Sequence, residues 1–323
     1  MHRFSSVLVL LCCAAAPLAA EAPRVVADIA PVHSLTARVM DGVGWPDLLL
    51  RPGASPHGYA MRPSEAGALE KADVVIWVGE GLTPWLHDPL ETLASDADVL
   101  GLLEADGTVR HAYRDTDDEA HDDHDAHDDH DDHGHDDHGH DDQGHDDHGH
   151  EGTDPHGWLD PENGRLWLTA IADALSAVDP ANAAAYRANA DQGAAEIATA
   201  AAEIAEMLAA TDRQSYAVFH DGYRYFEERF DVSPAFAIRT GDAVSPGPAR
   251  LSALRDQARE KGVACVFTEP QFDSRLIATV AEGMEVKTAT LDPLGSTLEP
   301  GPGLYVALLR DMADAMAGCM AGE

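Results

Sequence analysis

Short, mostly apolar runs alternate along this chain with longer segments whose apolar residues recur every three or four positions. The first set of runs is 25–29, 47–50, 74–78 and 99–103; the second is 216–219, 235–238, 264–268 and 287–291. Runs of this length, bounded by turn residues, read as strands buried on both faces. Helical spacing lies between them, as at 32–40 and 64–71. The alternation predicts an α/β protein of two lobes, each a mainly parallel four-stranded sheet with flanking helices. An N-terminal lobe over 21–178 and a C-terminal lobe over 212–323 leave an Ala-rich stretch, 179–211, between them. There Asp179 suits a helix cap and Pro180 a first helical turn. Ile197, Ala201, Ile204 and Leu208 follow at spacings that share one helical face. The stretch predicts one long, rigid linking helix of roughly 45 Å. Further helices are expected at 162–178 and 304–319.

The beginning of the chain changes the setting. Residues 1–20 carry a short positive end, an apolar stretch over 7–16 and small residues at Ala19 and Ala20. They read as a secretory signal peptide cleaved near Ala20, too short for a membrane span. The product is expected in a bacterial periplasm. Cys12 and Cys13 lie inside that segment, which leaves Cys265 and Cys319. These are either bridged or one buried and one free. Exported proteins seldom keep two free thiols, so a bridge is the expectation, stabilising by roughly 4 kcal/mol in the chain-entropy model.

Charge narrows the partners. The formal net charge is −37. Residues 115–151 hold 18 acidic side chains and no Lys or Arg, so the remainder carries −37 + 18 = −19. A nucleic-acid or anionic-membrane partner would require the opposite sign. Within 111–153 almost nothing is apolar, so the segment is expected to be disordered. Its histidines are His111 and then His121, His124, His127, His130, His133, His135, His138, His140, His145, His148 and His150, set among aspartates. Neutral imidazole is a common ligand for zinc, copper and nickel, whereas magnesium and calcium prefer oxygen. Histidines two and three apart on a flexible acidic chain therefore predict several weak, reversible metal sites.

Three other histidines stand in motifs. His57 lies in RPGASPHGYAMRPSE, past the 47–50 run; His156 lies in DPHGWLDP; His220 ends the run in YAVFHDGYRYF. Asp292, in TLDPLG, closes another run. Ligands of open α/β sheets bind beyond the carboxyl ends of strands, and three imidazoles with a carboxylate or water make a tetrahedral zinc site. Spacing alone does not join residues so far apart.

The order of GASPHGYAMRPSEAGALEKADVVIWVG, DPHGWLDP, VFHDGYRYFEERF, CVFTEPQF and TLDPLG does. With these segments the chain resembles the periplasmic zinc-binding proteins of high-affinity zinc ABC importers, in the cluster A-I metal-binding family. The resemblance implies His57, His156 and His220 as zinc ligands, with Asp292 or water completing the site. Pro56 stands where some zinc members place a Glu, which removes another candidate fourth ligand. Glu269, in FTEPQF, is read as supporting the cleft rather than binding metal. The resemblance also implies a pairing of Cys265 with Cys319. For His33 a helix-cap or surface role is expected over one lining the cleft, and His87 and His111 read as surface residues.

The implied function is capture of Zn²⁺ between the lobes and delivery to an ABC permease in the inner membrane. A periplasmic zinc metallochaperone is a second candidate partner, and the protein is expected to be a monomer. A stiff linking helix would limit hinge opening, so release is expected through loop movement or small lobe shifts. Binding needs neutral imidazoles, so affinity should fall as pH drops through about 6.5. A manganese or copper receptor of the same family and a periplasmic zinc buffer remain as alternatives. No HExxH or comparable motif marks a zinc hydrolase, so no enzyme is expected.

Overall fold

The computed structural model describes residues 21–114, 152–211, 214–232, 234, 236–239 and 247–321. Residues 1–20, expected to be a signal peptide, and the tract from His121 to His150 lie outside the described residues. Every predicted run contains a strand: β1 (Val25–Ala27), β2 (Asp47–Leu48), β3 (Val74–Trp77), β4 (Asp98–Gly101), β5 (Tyr216–His220), β6 (Phe236–Arg239), β7 (Cys265–Thr268) and β8 (Lys287–Thr290). They form two four-stranded sheets, ordered β2-β1-β3-β4 and β6-β5-β7-β8, and every pairing is parallel. In each sheet the order reverses between the first and third strands in sequence. A crevice opens beyond the carboxyl ends of such strands.

Burial on both faces holds for β1 and β5, and for β3 and β7 apart from the last residue of each, but not for the outer strands. Val99 of β4 is 46% exposed, and most of β8 faces solvent. An outer strand has one ladder partner and less helix above it, so its sequence can be polar.

The helices around the first sheet are α1 (Ala30–Val39), α2 (Pro63–Leu69), α3 (His87–Leu93) and α4 (Pro161–Val178). The linking helix α5 (Ala183–Ala209) follows, then α6 (Arg224–Phe230), α7 (Pro248–Glu260), α8 (Ser274–Ala281) and α9 (Leu304–Met320). At 27 residues, α5 runs about 40 Å. Ile197, Ile204 and Leu208 are buried and Ala201 partly so, as the spacing predicts. Its start is later than expected. Asp179 ends α4 instead of capping α5, and its carboxylate accepts from Asn182 Nδ2 (2.7 Å) and the Tyr186 hydroxyl (2.8 Å). Pro180 thus lies in the tight turn between two packed helices.

The two sheets share one apolar core. It joins Val25 of β1, Leu35 of α1, Trp167 of α4, Ile197 of α5, Tyr216 of β5 and Met312 of α9. Smaller clusters cover the outer faces, one centred on Val26 and Val75, the other on Phe219 and Val266. Among the described residues no helix is long and apolar enough to cross a membrane.

Cys265, the first residue of β7, is disulfide-bonded to Cys319 near the end of α9, with Cα atoms 5.9 Å apart. The bond pins the last helix to the second sheet across 54 positions of sequence. Cys319→Ser should therefore lower unfolding stability by about 4 kcal/mol. Denaturant titration of the oxidised proteins measures this, and equal midpoints would show that the bond contributes nothing.

Candidate metal centre

His220 is the last residue of β5, and Glu269 follows β7 directly, so both sit at the order reversal of the second sheet. The imidazole is buried, and its Nδ1 lies 2.6 Å from Glu269 Oε1. The same carboxylate oxygen accepts the His220 backbone N–H at 3.3 Å. Gly222 leaves this ring its space, because a Cβ there would collide with the imidazole.

His156 repeats the device from the other sheet's side. Its Nδ1 lies 2.7 Å from Asp154 Oδ1, which also accepts its backbone N–H at 2.9 Å. Both residues are buried. The turn that follows leads into α4, where Asp160 caps the helix by accepting from Glu162 N–H and Pro161 occupies the first turn.

A carboxylate can only accept, so the ring nitrogen facing it carries the proton and the other presents a lone pair. The two Nε2 atoms lie 3.3 Å apart. Two nitrogens bound to one tetrahedral zinc at about 2.0–2.1 Å sit about 3.3 Å from each other. Two lone pairs at that separation repel, and a shared cation or proton relieves the repulsion.

His57 completes the group. Nitrogens of His57, His156 and His220 all lie within 4.8 Å of one another. Among the described residues no other three His, Cys, Asp or Glu side chains converge in this way. His57 is half-buried, on the loop between β2 and α2. Trp85 Nε1 donates to the Pro56 carbonyl at 2.7 Å and so fixes the loop beside it. Beyond it, the Tyr59 hydroxyl accepts from Arg51 Nε and donates to Glu65, whose other oxygen caps α2 through the Arg62 N–H.

The three rings face a cavity of about 20 Å³, room for one water-sized body. Pro56, Trp158, Phe272, Pro293 and Leu294 supply its apolar wall. Trp158 Nε1 donates to the Pro293 carbonyl (2.7 Å), a bond between the two sheets' loops at the site's edge.

Asp292 is not brought into this group. One of its oxygens accepts from Gln271 Nε2 (3.1 Å) and Leu294 N–H (3.2 Å), the other from Ser296 N–H (2.6 Å) and Oγ (2.7 Å). The carboxylate is occupied in shaping the loop whose Pro293 and Leu294 line the cavity. Burial alone would push Asp154 up, but the adjacent His156 and its hydrogen bonds outweigh that and hold the carboxyl below its ordinary range. It is therefore ionised at neutral pH, as an acceptor must be. Burial and the neighbouring Glu269 push the Tyr223 phenol well up, so it stays neutral beside His220.

The remaining histidines differ from expectation in two cases. His33 is neither at the surface nor in the cavity. It is buried, its Nε2 is 3.0 Å from the Pro46 carbonyl, and burial lowers its pKa, so it stays neutral. His111 is half-buried, with its ring 4.7 Å from that of Tyr225. His87 is exposed beside Asp88, as expected. The acidic tract is also anchored more tightly than a segment disordered over 111–153: Ala112 and Thr153 form an antiparallel bridge, and Asp154 N–H donates to the His111 carbonyl at 2.8 Å. Asp154 was missed in sequence although it stands two positions before His156, where its carboxylate reaches both the amide and the ring of that residue.

Two parallel α/β sheets with three imidazoles converging between them make a candidate metal-binding centre. Residues 25–319 match the family model of the periplasmic component A of zinc-uptake complexes, ZnuA, and the chain belongs to that family. It is 46% identical over 311 residues to the high-affinity zinc uptake system protein ZnuA of Paracoccus denitrificans, covering 96% of this chain and 95% of that one. The ZnuA of Yersinia pestis is 34% identical, with 94% and 93% covered. Among solved structures, a zinc-bound ZnuA with residues 138–173 deleted superposes with a TM-score of 0.73 at 20% identity, covering 94% of this chain and 99% of that chain. The Pseudomonas aeruginosa protein FpvC in complex with Mn²⁺ superposes at 0.74 and 19% identity, covering 92% and 98%.

Asp154→Asn and Glu269→Gln preserve shape and remove the charge that orients each ring. Each should weaken zinc binding about 10–100-fold in competition titration with the fold intact. Unchanged affinity in both would show that these carboxylates do not set the ligands' orientation.

Proposed function

We propose that this protein captures Zn²⁺ between its two sheets with the Nε2 atoms of His57, His156 and His220 and delivers it to an ABC permease in the inner membrane. The observation that carries the reading is the pair of Nε2 lone pairs held 3.3 Å apart by buried carboxylates. An all-imidazole donor set suits zinc over the harder manganese. The names of its relatives agree: the Paracoccus denitrificans and Yersinia pestis proteins are zinc uptake proteins. The ion here is cargo, and the fourth position falls to water, because Asp292 already accepts four hydrogen bonds. The protein acts in the periplasm after residues 1–20 are removed, as a monomer. A periplasmic zinc metallochaperone is a further candidate partner.

His220→Ala should weaken the tight site by more than the roughly 100-fold that outer partners are worth, whereas Asp292→Asn should change affinity less. Competition titration decides both. Wild-type affinity in His220→Ala would remove the assignment, and a larger loss in Asp292→Asn would make that carboxylate the fourth ligand.

The acidic histidine tract we read as an auxiliary, weaker zinc store feeding the cleft. The single β-bridge between Ala112 and Thr153 brings its two ends together, so a short linker can replace 115–151. That deletion should leave one tight zinc per molecule and remove the weak ones. Loss of the tight site with the fold intact would make the tract part of the primary site.

A further inference from the structure

Tyr225 stands on α6, five residues past His220, and its side chain is fully buried. Its hydroxyl donates to the Asp154 carbonyl at 2.8 Å and accepts the His111 N–H at 3.1 Å. One oxygen thus ties three segments: the second sheet's helix, the segment entering the acidic tract, and the segment leaving it toward His156. Burial pushes the phenol up to about 12, so the proton it donates is present throughout the physiological range.

Other groups on α6 grip the same region. Arg224 donates to the Ala112 carbonyl at 2.5 Å. Glu227 pairs with Arg114, whose Nε also lies 2.9 Å from Asp221, the neighbour of His220. Arg229 makes two 2.7 Å bonds to Asp160, the cap of α4. Of these α6 groups, Tyr225 is the one hydrogen-bonded to Asp154, which orients the candidate ligand His156.

We propose that Tyr225 is a positioning residue for zinc: from the second sheet it fixes the backbone of Asp154, so that the Asp154 carboxylate aims the His156 ring at the ion. The inference rests on the three-histidine reading of the site. Its consequence is that His156 is properly aimed only while α6 stays seated. Any shift of the second sheet that withdraws His220 also withdraws the phenol that aligns His156, so two ligands loosen together. Release then needs a small displacement, as the shared core and the rigid α5 require.

The test uses the full chain, with Tyr225→Phe compared with Tyr186→Phe. Both lose one buried phenol hydroxyl, but that of Tyr186 bonds Asp179 at the foot of α5, remote from the site. Tyr225→Phe should weaken the tight site about 10–100-fold in chelator competition and shift the visible bands of the cobalt-substituted protein; Tyr186→Phe should do neither. Unchanged affinity and spectrum in Tyr225→Phe, or equal changes in both variants, would overturn the inference. Should Tyr225→Phe not fold, hydrogen exchange on the unaltered protein decides. Zinc binding should slow exchange of the His111 amide, since coupling between the ion and this tie is reciprocal; exchange indifferent to zinc would overturn it. Absence of any tight site in the unaltered protein would instead sink the three-histidine reading.

Discussion

An imidazole offers two nitrogens, and a metal site works only if the protein decides which one faces the ion. Here that decision is made by two buried carboxylates. Asp154 and Glu269 each take one Nδ1, and each also accepts the backbone N–H of the histidine it orients. Ring direction, tautomer and backbone are thereby locked together. The remaining Nε2 lone pairs converge from opposite sheets, and their separation matches that of two ligands on one tetrahedral ion. Two carboxylates just behind the imidazoles would also offset the charge of a divalent cation in a largely apolar cavity.

This constraint accounts for much of the surrounding architecture. Both carboxylates are buried, so each needs backbone and ring donors around it. Their histidines come from separate sheets, so the sheets must be held in register. The shared core, the long α5 and cross-sheet bonds such as Trp158 to Pro293 provide that register. His57 comes from a loop and is half-buried, whereas His156 and His220 are buried.

The architecture was legible in sequence because burial makes strand runs apolar: the eight runs, their parallel order and the apolar face of α5 all follow from spacing. The three histidines were legible because they stand in motifs at loop positions. What spacing could not supply was direction. The carboxylate at 292 sits at a strand end and reads as a ligand, yet the turn it opens offers it three donors and Gln271 a fourth. Asp154 and Tyr225 look ordinary in the linear chain, and their roles arise only when α6 is laid against the segment preceding α4. Asp179 went to the wrong helix for the same reason, since a cap residue between two helices serves whichever one it folds back upon.

The central claim is that a single zinc sits between three Nε2 atoms with no protein carboxylate bound to it. An anomalous difference map from crystals of the protein loaded with one equivalent of zinc tests this most directly. The account predicts one strong peak, about 2.0–2.1 Å from Nε2 of His57, His156 and His220, with a water as the fourth neighbour. A principal peak bonded to Asp292, to any Nδ1, or at a place away from these three rings would contradict it.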